Sequence, residues 1–206
     1  MQTAIDQFRI NIDRARNLGA IYKAIEAQTT GALDLSDILR AELVMAVSSL
    51  DHYVHEITRL GMIDSYRGNR QQTSTFSRFQ ISLDSALQGI LIARQSNIIP
   101  SGADWLEEQI RTRHGYQSFQ QPDKIADAIR LISDVSLWQE VAALLGMSAQ
   151  DCKRQLQLII DRRNKIAHEA DIDTSAPNTL WPINNTMVDD AIHFIEQVAE
   201  AIFRSL

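Results

Sequence analysis

The stretch from Leu156 to Asp173 constrains the fold most, because it combines a helical repeat of apolar residues with a charge inside that repeat. At about 100° per residue, its apolar side chains share one broad arc of a helix. The arc contains Cys152, Leu156, Ile159, Ile160, Ile166 and Ala167, and Arg163 falls in its middle. Arg is rarely buried without a partner, so Arg163 is expected to meet a carboxylate, a phosphate or a subunit interface. Glu42 and Asp51 are the candidate carboxylates within the chain.

A second arc of the same helix is polar. It contains Asp161, Asn164, Lys165 and His168, which follow the spacing i, i+3, i+4, i+7 and therefore share one face. A guanidinium, an amide and an imidazole are thus expected to cluster beside an apolar seam. An imidazole transfers protons near neutral pH, and a guanidinium holds a phosphate with two hydrogen bonds. This combination predicts chemistry on a phosphate ester.

Residues 163–168 read RNKIAH and resemble the R-x4–6-H signature of HEPN domains, in which a polar residue commonly follows the arginine. The longer run RRNKIAHEAD, with RAEL at 40–43 and LDHYVHE at 50–56, is similar to the subgroup called RiboL-PSP-HEPN. The resemblance covers roughly residues 36 to 200. It implies an all-α, HEPN-like helical bundle with four to five core helices and additional short helices.

The resemblance also implies a function. Active HEPN domains are metal-independent endoribonucleases, so Arg163 and His168 are the expected catalytic residues, and Asn164 is expected to orient them. The expected reaction is RNA cleavage by 2′-OH transesterification, with no cofactor and no metal ligand. Bacterial relatives often act as toxins or phage-defence effectors, which implies an antitoxin or a defence-system protein as a possible partner.

The spacing of Arg163 and His168 bears on assembly. Five residues separate them, hence about 140° around a regular helix and roughly 7.5 Å along its axis. One helix does not easily aim both at one phosphate, whereas two antiparallel copies related by a two-fold axis do. We therefore expect a homodimer with a composite site at its interface, to which the apolar arc around Arg163 contributes.

The net charge of −6 argues against a general nucleic-acid coat, because such binding depends on neutralising phosphates. A local basic cleft remains compatible with an acidic body. Two groups of basic residues qualify, one in the polar stretch 67–78 and one in the motif helix. Their candidate RNA-binding residues are Arg67, Arg70, Arg162 and Lys165. The alternative is that both groups are simply solvated.

Apolar residues recur at steps of three and four through most of the chain, and only 8 Gly and 4 Pro interrupt it. The pattern predicts helices over 3–27, 36–61 or beyond, 76–95, 105–113, 122–132, 136–145, 149–170 and from 186 onward. One domain over 1–206 is expected, with a possible insertion around 102–121. A single Cys excludes a disulfide framework. The absence of a long apolar run predicts a cytoplasmic protein without membrane contact.

The group Asp51, His52, His55 and Glu56 forms two i, i+4 pairs on the second predicted helix. A metal site and an acid–base pair are the functional interpretations. The lack of a third ligand argues against a metal. A salt-linked helix face, or indirect support of Arg163, is the alternative.

Two other functions remain open from the sequence. One is a non-catalytic HEPN scaffold that binds RNA or a partner protein. The other is an unrelated helical regulatory or interaction protein in which the motif is coincidental. A nuclease requires positive potential around His168, whereas the unrelated protein does not.

Overall fold

The computed structural model describes residues 1–29, 33–95, 103–176 and 179–206. Within these ranges the chain forms eight α-helices and one short 3₁₀ turn, with an isolated bridge between Ile172 and Leu180 in place of any strand. The predicted all-α fold is confirmed. The helices are α1 Gln2–Glu26, α2 Ser36–Tyr66, α3 Leu83–Gln95, α4 Asp104–His114, α5 Pro122–Ile129, α6 Leu137–Leu145, α7 Ala149–Glu169 and α8 Asn185–Arg204.

Helix α2 is the centre of the fold. Its 31 residues span about 46 Å, and it contacts α1, α4, α5, α7 and α8. Tyr53 of α2 packs on Phe8 of α1 with ring centroids 5.4 Å apart. Near its end, a Cβ on Gly61 would lie 2.7 Å from Ile132, so this glycine lets the chain that follows α5 approach closely. The long apolar stripe of α2 thus lies at the centre of the bundle's core.

Helix α7 begins as predicted and ends in a sharp reversal. Ser148 caps it, because its Oγ accepts the Asp151 N–H at 3.0 Å. At the other end Ala170 and Asp171 adopt left-handed conformations, with φ of 51° and 55°. The Asp171 N–H then bonds the Lys165 carbonyl at 3.0 Å. The reversal turns the chain back along α7 directly after the motif.

The apolar arc of α7 is buried only in part. Cys152, Leu156 and Ile160 are fully buried. Ile159 and Ile166 are half-buried, and Ala167 is exposed. The end of α7 therefore emerges from the bundle where the motif lies.

The prediction of one helix over 76–95 is wrong in two respects. Residues Phe76–Arg78 form a 3₁₀ turn, and α3 starts only at Leu83. The apolar residues whose three- and four-residue spacing predicted this helix are largely exposed on α3, namely Leu83, Leu87, Ile90 and Leu91. Helix α3 instead packs on α4 through small residues: Ser85 is buried, and a Cβ on Gly89 would lie 3.0 Å from Trp105.

Helix α8 is capped by Asn184, whose Oδ1 accepts the Met187 N–H at 2.9 Å, so Thr186, where the sequence places the start of this helix, lies inside it and is not its cap. Within the predicted insertion, the described residues 103–121 bury Leu106, Ile110 and Phe119 in the common core. Among the described helices, none is both long and apolar enough to span a membrane.

Candidate functional site

A cavity of about 380 Å³ lies against the end of α7, and we call it the motif cavity. Helix α7 contributes Arg163, Asn164 and His168, the three residues that the sequence analysis selected as catalytic. The segment before α5 and the first turn of α5 supply the rest of the lining, apart from Ile160 of α7. The lining consists of Ser118, Gln120, Gln121, Lys124, Ile160, Arg163, Asn164 and His168.

Arg163 and His168 therefore reach one opening from a single helix. From their spacing, one helix was not expected to aim both side chains at one phosphate. The lining brings the expected catalytic residues together within one chain.

Arg163 is half-buried, and its surroundings differ from the prediction. Its Nη1 donates to Asn164 Oδ1 at 3.1 Å, and its Nε is buried without a hydrogen-bond partner among the described residues. Neither predicted carboxylate pairs with it. Glu42 is buried elsewhere, close to Gly19 of α1, and Asp51 accepts a hydrogen bond from the Phe119 N–H. Within the described chain, Arg163 thus keeps its charge unneutralised by any ion pair.

His168 lies in the last turn of α7 and is exposed. Lys124 is exposed in the first turn of α5, which Pro122 opens at a position that proline favours. The described lining of the cavity carries two fixed positive charges, from Arg163 and Lys124, and no carboxylate. The cavity is therefore a basic spot on a chain of net charge −6. Its volume is within the range of roughly 300–1,000 Å³ that small-ligand sites occupy.

Arg162 belongs to a different site, which we call the Asp171 cluster and which comprises Arg40, Arg162, Asp171 and the Trp181 carbonyl. Asp171 is 1% exposed, and its Oδ2 lies 2.7 Å from both Arg40 Nε and Arg162 Nη2. The Trp181 carbonyl accepts from both guanidinium groups at 3.0 Å. Burial lowers the pKa of Arg162, while the Asp171 charge opposes the shift. Nη2 of the predicted RNA-binding residue Arg162 thus donates inside the protein, while its Nε is buried without a hydrogen-bond partner among the described residues.

The other predicted RNA-binding residues lie outside the motif cavity. The Lys165 ammonium sits 4.8 Å from the centroid of the Trp181 ring. Arg70 donates to the Ile132 carbonyl at 2.7 Å and to Leu206 at 3.0 Å. Arg67 is exposed at the end of α2. The structure does not bring these three residues together with Arg163, and their contact with RNA stays a prediction.

Sequence reasoning missed Lys124 and the residues of the segment before α5. Lys124 carries no local signal, because it is one exposed lysine at the start of a short helix. Its role in the lining depends on a contact with α7 some forty residues further along the chain. Such a contact leaves no trace in helical periodicity.

The second predicted group also becomes a defined cluster, with a cavity of about 220 Å³ beside α4. Asp51 and His55 approach to 4.0 Å, as their spacing predicts. Glu56 pairs with Arg59 at 2.7 Å rather than with His52. The lining consists of His52, His55, Glu56, Arg59, Ile110, Arg111, His114 and Gly115.

The charges of this cluster are mutually neutralised. Burial tends to raise the pKa of Glu56, but the hydrogen bonds with Arg59 together with the positive charges of Arg59 and Arg111 outweigh that effect and lower it. Burial also lowers the pKa of His114 to about 4, so this imidazole is neutral at physiological pH. Within the described ranges, no group of three or more His, Cys, Asp or Glu is placed to hold a metal ion.

Comparison with known proteins adds one finding. The chain matches the family model RiboL-PSP-HEPN over residues 9–206. No match to the chain is found among curated proteins or among solved structures. The matched range includes α7, α5 and the segment between α4 and α5, and therefore the whole lining of the motif cavity.

Proposed function

The chain belongs to the RiboL-PSP-HEPN family, and on that premise we propose that it is a metal-independent endoribonuclease. One observation carries the proposal: Arg163, Asn164 and His168 line one basic cavity that holds no carboxylate among its described lining residues. A purely structural arginine would be expected to have a fixed acidic partner, as Arg162 has. Arg163 instead offers its charge to the cavity.

In the proposed reaction the 2′-oxygen attacks the adjacent phosphorus and the bond to the 5′-oxygen breaks. The products are a 2′,3′-cyclic phosphate and a 5′-hydroxyl. Arg163 binds the phosphate oxygens and stabilises the charge that develops on them. His168 transfers protons. The Asn164 amide accepts from Arg163 Nη1 and so limits the orientations of the guanidinium.

The reaction requires two proton transfers, one from the 2′-OH and one to the 5′-oxygen. One imidazole serves as base or as acid at any moment. A second copy of the chain would supply a second imidazole, so we keep the homodimer as part of the proposal. The test is the mass of the protein in solution at micromolar concentration. A monomer that cleaves RNA at full rate would contradict this part alone.

The activity test uses a single-stranded RNA oligonucleotide with EDTA present. The wild-type protein is expected to cleave it, and Arg163→Ala and His168→Ala are each expected to lose roughly 10²–10³-fold in rate. Matched controls are Arg154→Ala, an exposed arginine of α7 outside the cavity, and His193→Ala, an exposed histidine of α8. A 2′-deoxy residue at the cleaved position is expected to block the reaction. Full cleavage by either cavity variant would refute the catalytic assignment.

We extend the proposal to a role as a toxin or phage-defence effector, which the family resemblance supports. Induced expression in a bacterium is expected to arrest growth and fragment RNA with the wild-type protein but not with His168→Ala. An antitoxin or defence-system partner would relieve the arrest. If the wild-type protein binds the oligonucleotide tightly without cleaving it, the scaffold function replaces the nuclease.

A further inference from the structure

The segment 117–121, which we call the wall segment, has two sides. Ser118, Gln120 and Gln121 line the motif cavity on one side. On the other side, the main chain of the wall segment is held by two residues of α2 that have no place in the proposed reaction. These are Asp51 and His55, one of the two i, i+4 pairs of α2.

The main hydrogen bond is short and charge-assisted. Asp51 Oδ1 accepts from the Phe119 N–H at 2.6 Å. His55 Nε2 lies 3.2 Å from the Gln117 carbonyl. A carbonyl oxygen only accepts, so Nε2 is the donor of this bond. Since Asp51 and His55 are four residues apart on α2, both bonds come from one helix face.

Ring packing holds the same segment from the side. The Phe119 side chain is buried, with its ring centroid 4.5 Å from that of His55 and 5.2 Å from that of His114. His114 is 5% exposed and neutral, because burial lowers its pKa to about 4. It therefore packs as an aromatic ring without the cost of a buried charge. Phe119 and the Asp51 hydrogen bond together leave the wall segment few alternative positions.

We propose that Asp51 is a positioning residue for the motif cavity, because it anchors Phe119 and thereby places Ser118, Gln120 and Gln121 along the bound RNA. The proposal rests on the nuclease function proposed above. The wall segment limits how the strand lies against Arg163 and His168. A displacement of about 1 Å in such a wall costs on the order of 10²-fold in rate when it misaligns the reacting atoms.

The test compares two substitutions at one position. Asp51→Ala removes the acceptor, whereas Asp51→Asn keeps an oxygen that accepts the Phe119 N–H. The control is Asn184→Ala, which removes a similar bond from side-chain oxygen to main-chain N–H at the start of α8. Each variant is assayed for kcat and KM with the RNA oligonucleotide, for folded fraction by circular dichroism, and for hydrogen exchange at the Phe119 amide.

For Asp51→Ala we expect faster exchange at Phe119 and a loss of about 10–100-fold in kcat, with KM changed by less than about threefold. Asp51→Asn is expected to restore kcat to within about threefold of wild type. Asn184→Ala is expected to change neither the exchange at Phe119 nor kcat.

Two outcomes would overturn the proposal. One is unchanged exchange at Phe119 in Asp51→Ala. The other is a loss of kcat that Asn184→Ala reproduces at equal folded fraction. If the wild-type protein cleaves no RNA, the nuclease function is rejected. The exchange measurement then still decides whether Asp51 anchors the wall segment.

Discussion

Arg162 and Arg163 are adjacent in the chain and have opposite surroundings. Arg162 Nη2 donates to Asp171 at 2.7 Å and to the carbonyls of Trp181 and Pro182 at 3.0 and 3.2 Å. Arg163 donates only to Asn164 among the described residues, at 3.1 Å. A rotation of about 100° along one helix thus separates a guanidinium with a buried acidic partner from one that lines a cavity.

The difference shows what a charged side chain needs in order to become structural. The Asp171 cluster exists because the chain reverses after α7, and two non-glycine residues adopt left-handed conformations there. Each such residue costs about 1 kcal/mol or more. This strain places one carboxylate between two arginines. Among the described residues, no comparable turn brings an acid to Arg163, which stays without an ion pair.

The largest expected effect comes from Asp171→Asn, which removes the acidic partner of Arg162. Asn tolerates the left-handed backbone, so the variant removes mainly the charge. Two guanidinium groups then lack their shared counter-charge, and the free energy of unfolding is expected to fall by about 3–5 kcal/mol. Urea denaturation measures it. Asp161→Asn, an exposed position on α7, serves as control and is expected to change stability by less than about 0.5 kcal/mol.

Substitution of each of the two adjacent arginines gives the next largest effect. Arg162→Ala is expected to lower the free energy of unfolding by about 2 kcal/mol and to retain RNA cleavage by the folded fraction. Arg163→Ala is expected to lose RNA cleavage, whereas its free energy of unfolding stays within about 0.5 kcal/mol of wild type. Paired urea titrations and cleavage assays in buffer measure both. The comparison fails if Arg162→Ala abolishes cleavage without loss of stability.

A buried acid without a partner sharpens the comparison further. Glu42 is buried, and neither of its carboxylate oxygens has a hydrogen-bond partner among the described residues. Burial raises its pKa to about 7; the charge of Asp189 adds to the shift, and Lys23 and Arg16 oppose it. Because the folded-state pKa lies above the usual value near 4.5, its stabilising contribution is complete below that value. The contribution is lost as the pH rises through about 7.

Glu42→Gln mimics the protonated acid at every pH. The variant is therefore expected to be more stable than wild type at pH 8, by on the order of 1–2 kcal/mol, and to flatten the stability profile between about pH 5 and 8. Urea titrations at several pH values measure the profile. The exposed Glu108→Gln is the control. If the stability of Glu42→Gln falls with pH as steeply as that of the wild-type protein, the slope belongs to other groups.

The smallest effect is expected on RNA binding, from a residue at the edge of the motif cavity. Lys124→Ala removes one phosphate-directed charge, so RNA binding by the His168→Ala protein is expected to weaken about tenfold. The slope of log K against log salt is expected to fall by about one. Lys23→Ala, at the far side on α1, is expected to change neither quantity. If Lys124→Ala leaves the slope of log K against log salt unchanged, the RNA strand does not contact Lys124.

Helical periodicity predicted the bundle because each helix carries its own signal. The start of α7 was predictable for the same reason, since Ser148 and Asp151 are three residues apart. The exposed apolar residues of α3 were not predicted, because periodicity identifies an apolar face but not the neighbour that covers it. On α3, Gly89 lets the Trp105 ring of α4 approach closely, and a glycine is not part of the apolar pattern.

The spacing selected Arg163, Asn164 and His168, which do line one cavity, but it did not predict which arginine has an acidic partner. The wheel placed Arg163 among apolar residues and therefore predicted a partner for it, namely a carboxylate, a phosphate or a subunit interface. The real acid, Asp171, lies beyond the helix end, where helical periodicity no longer applies, and it pairs with Arg162 instead. Likewise, Lys124 joins the cavity only through tertiary packing of α5 against α7.

Helix α2 imposes a length constraint on relatives of this chain. It holds the Asp171 cluster through Arg40 and the wall segment through Asp51. These positions are eleven residues apart, hence about 16 Å along the axis and only about 20° around it. Inserting one residue between them would rotate one anchor by about 100° relative to the other. Relatives that keep both contacts must therefore conserve this interval without insertion or deletion, even where the side chains between the two anchors differ.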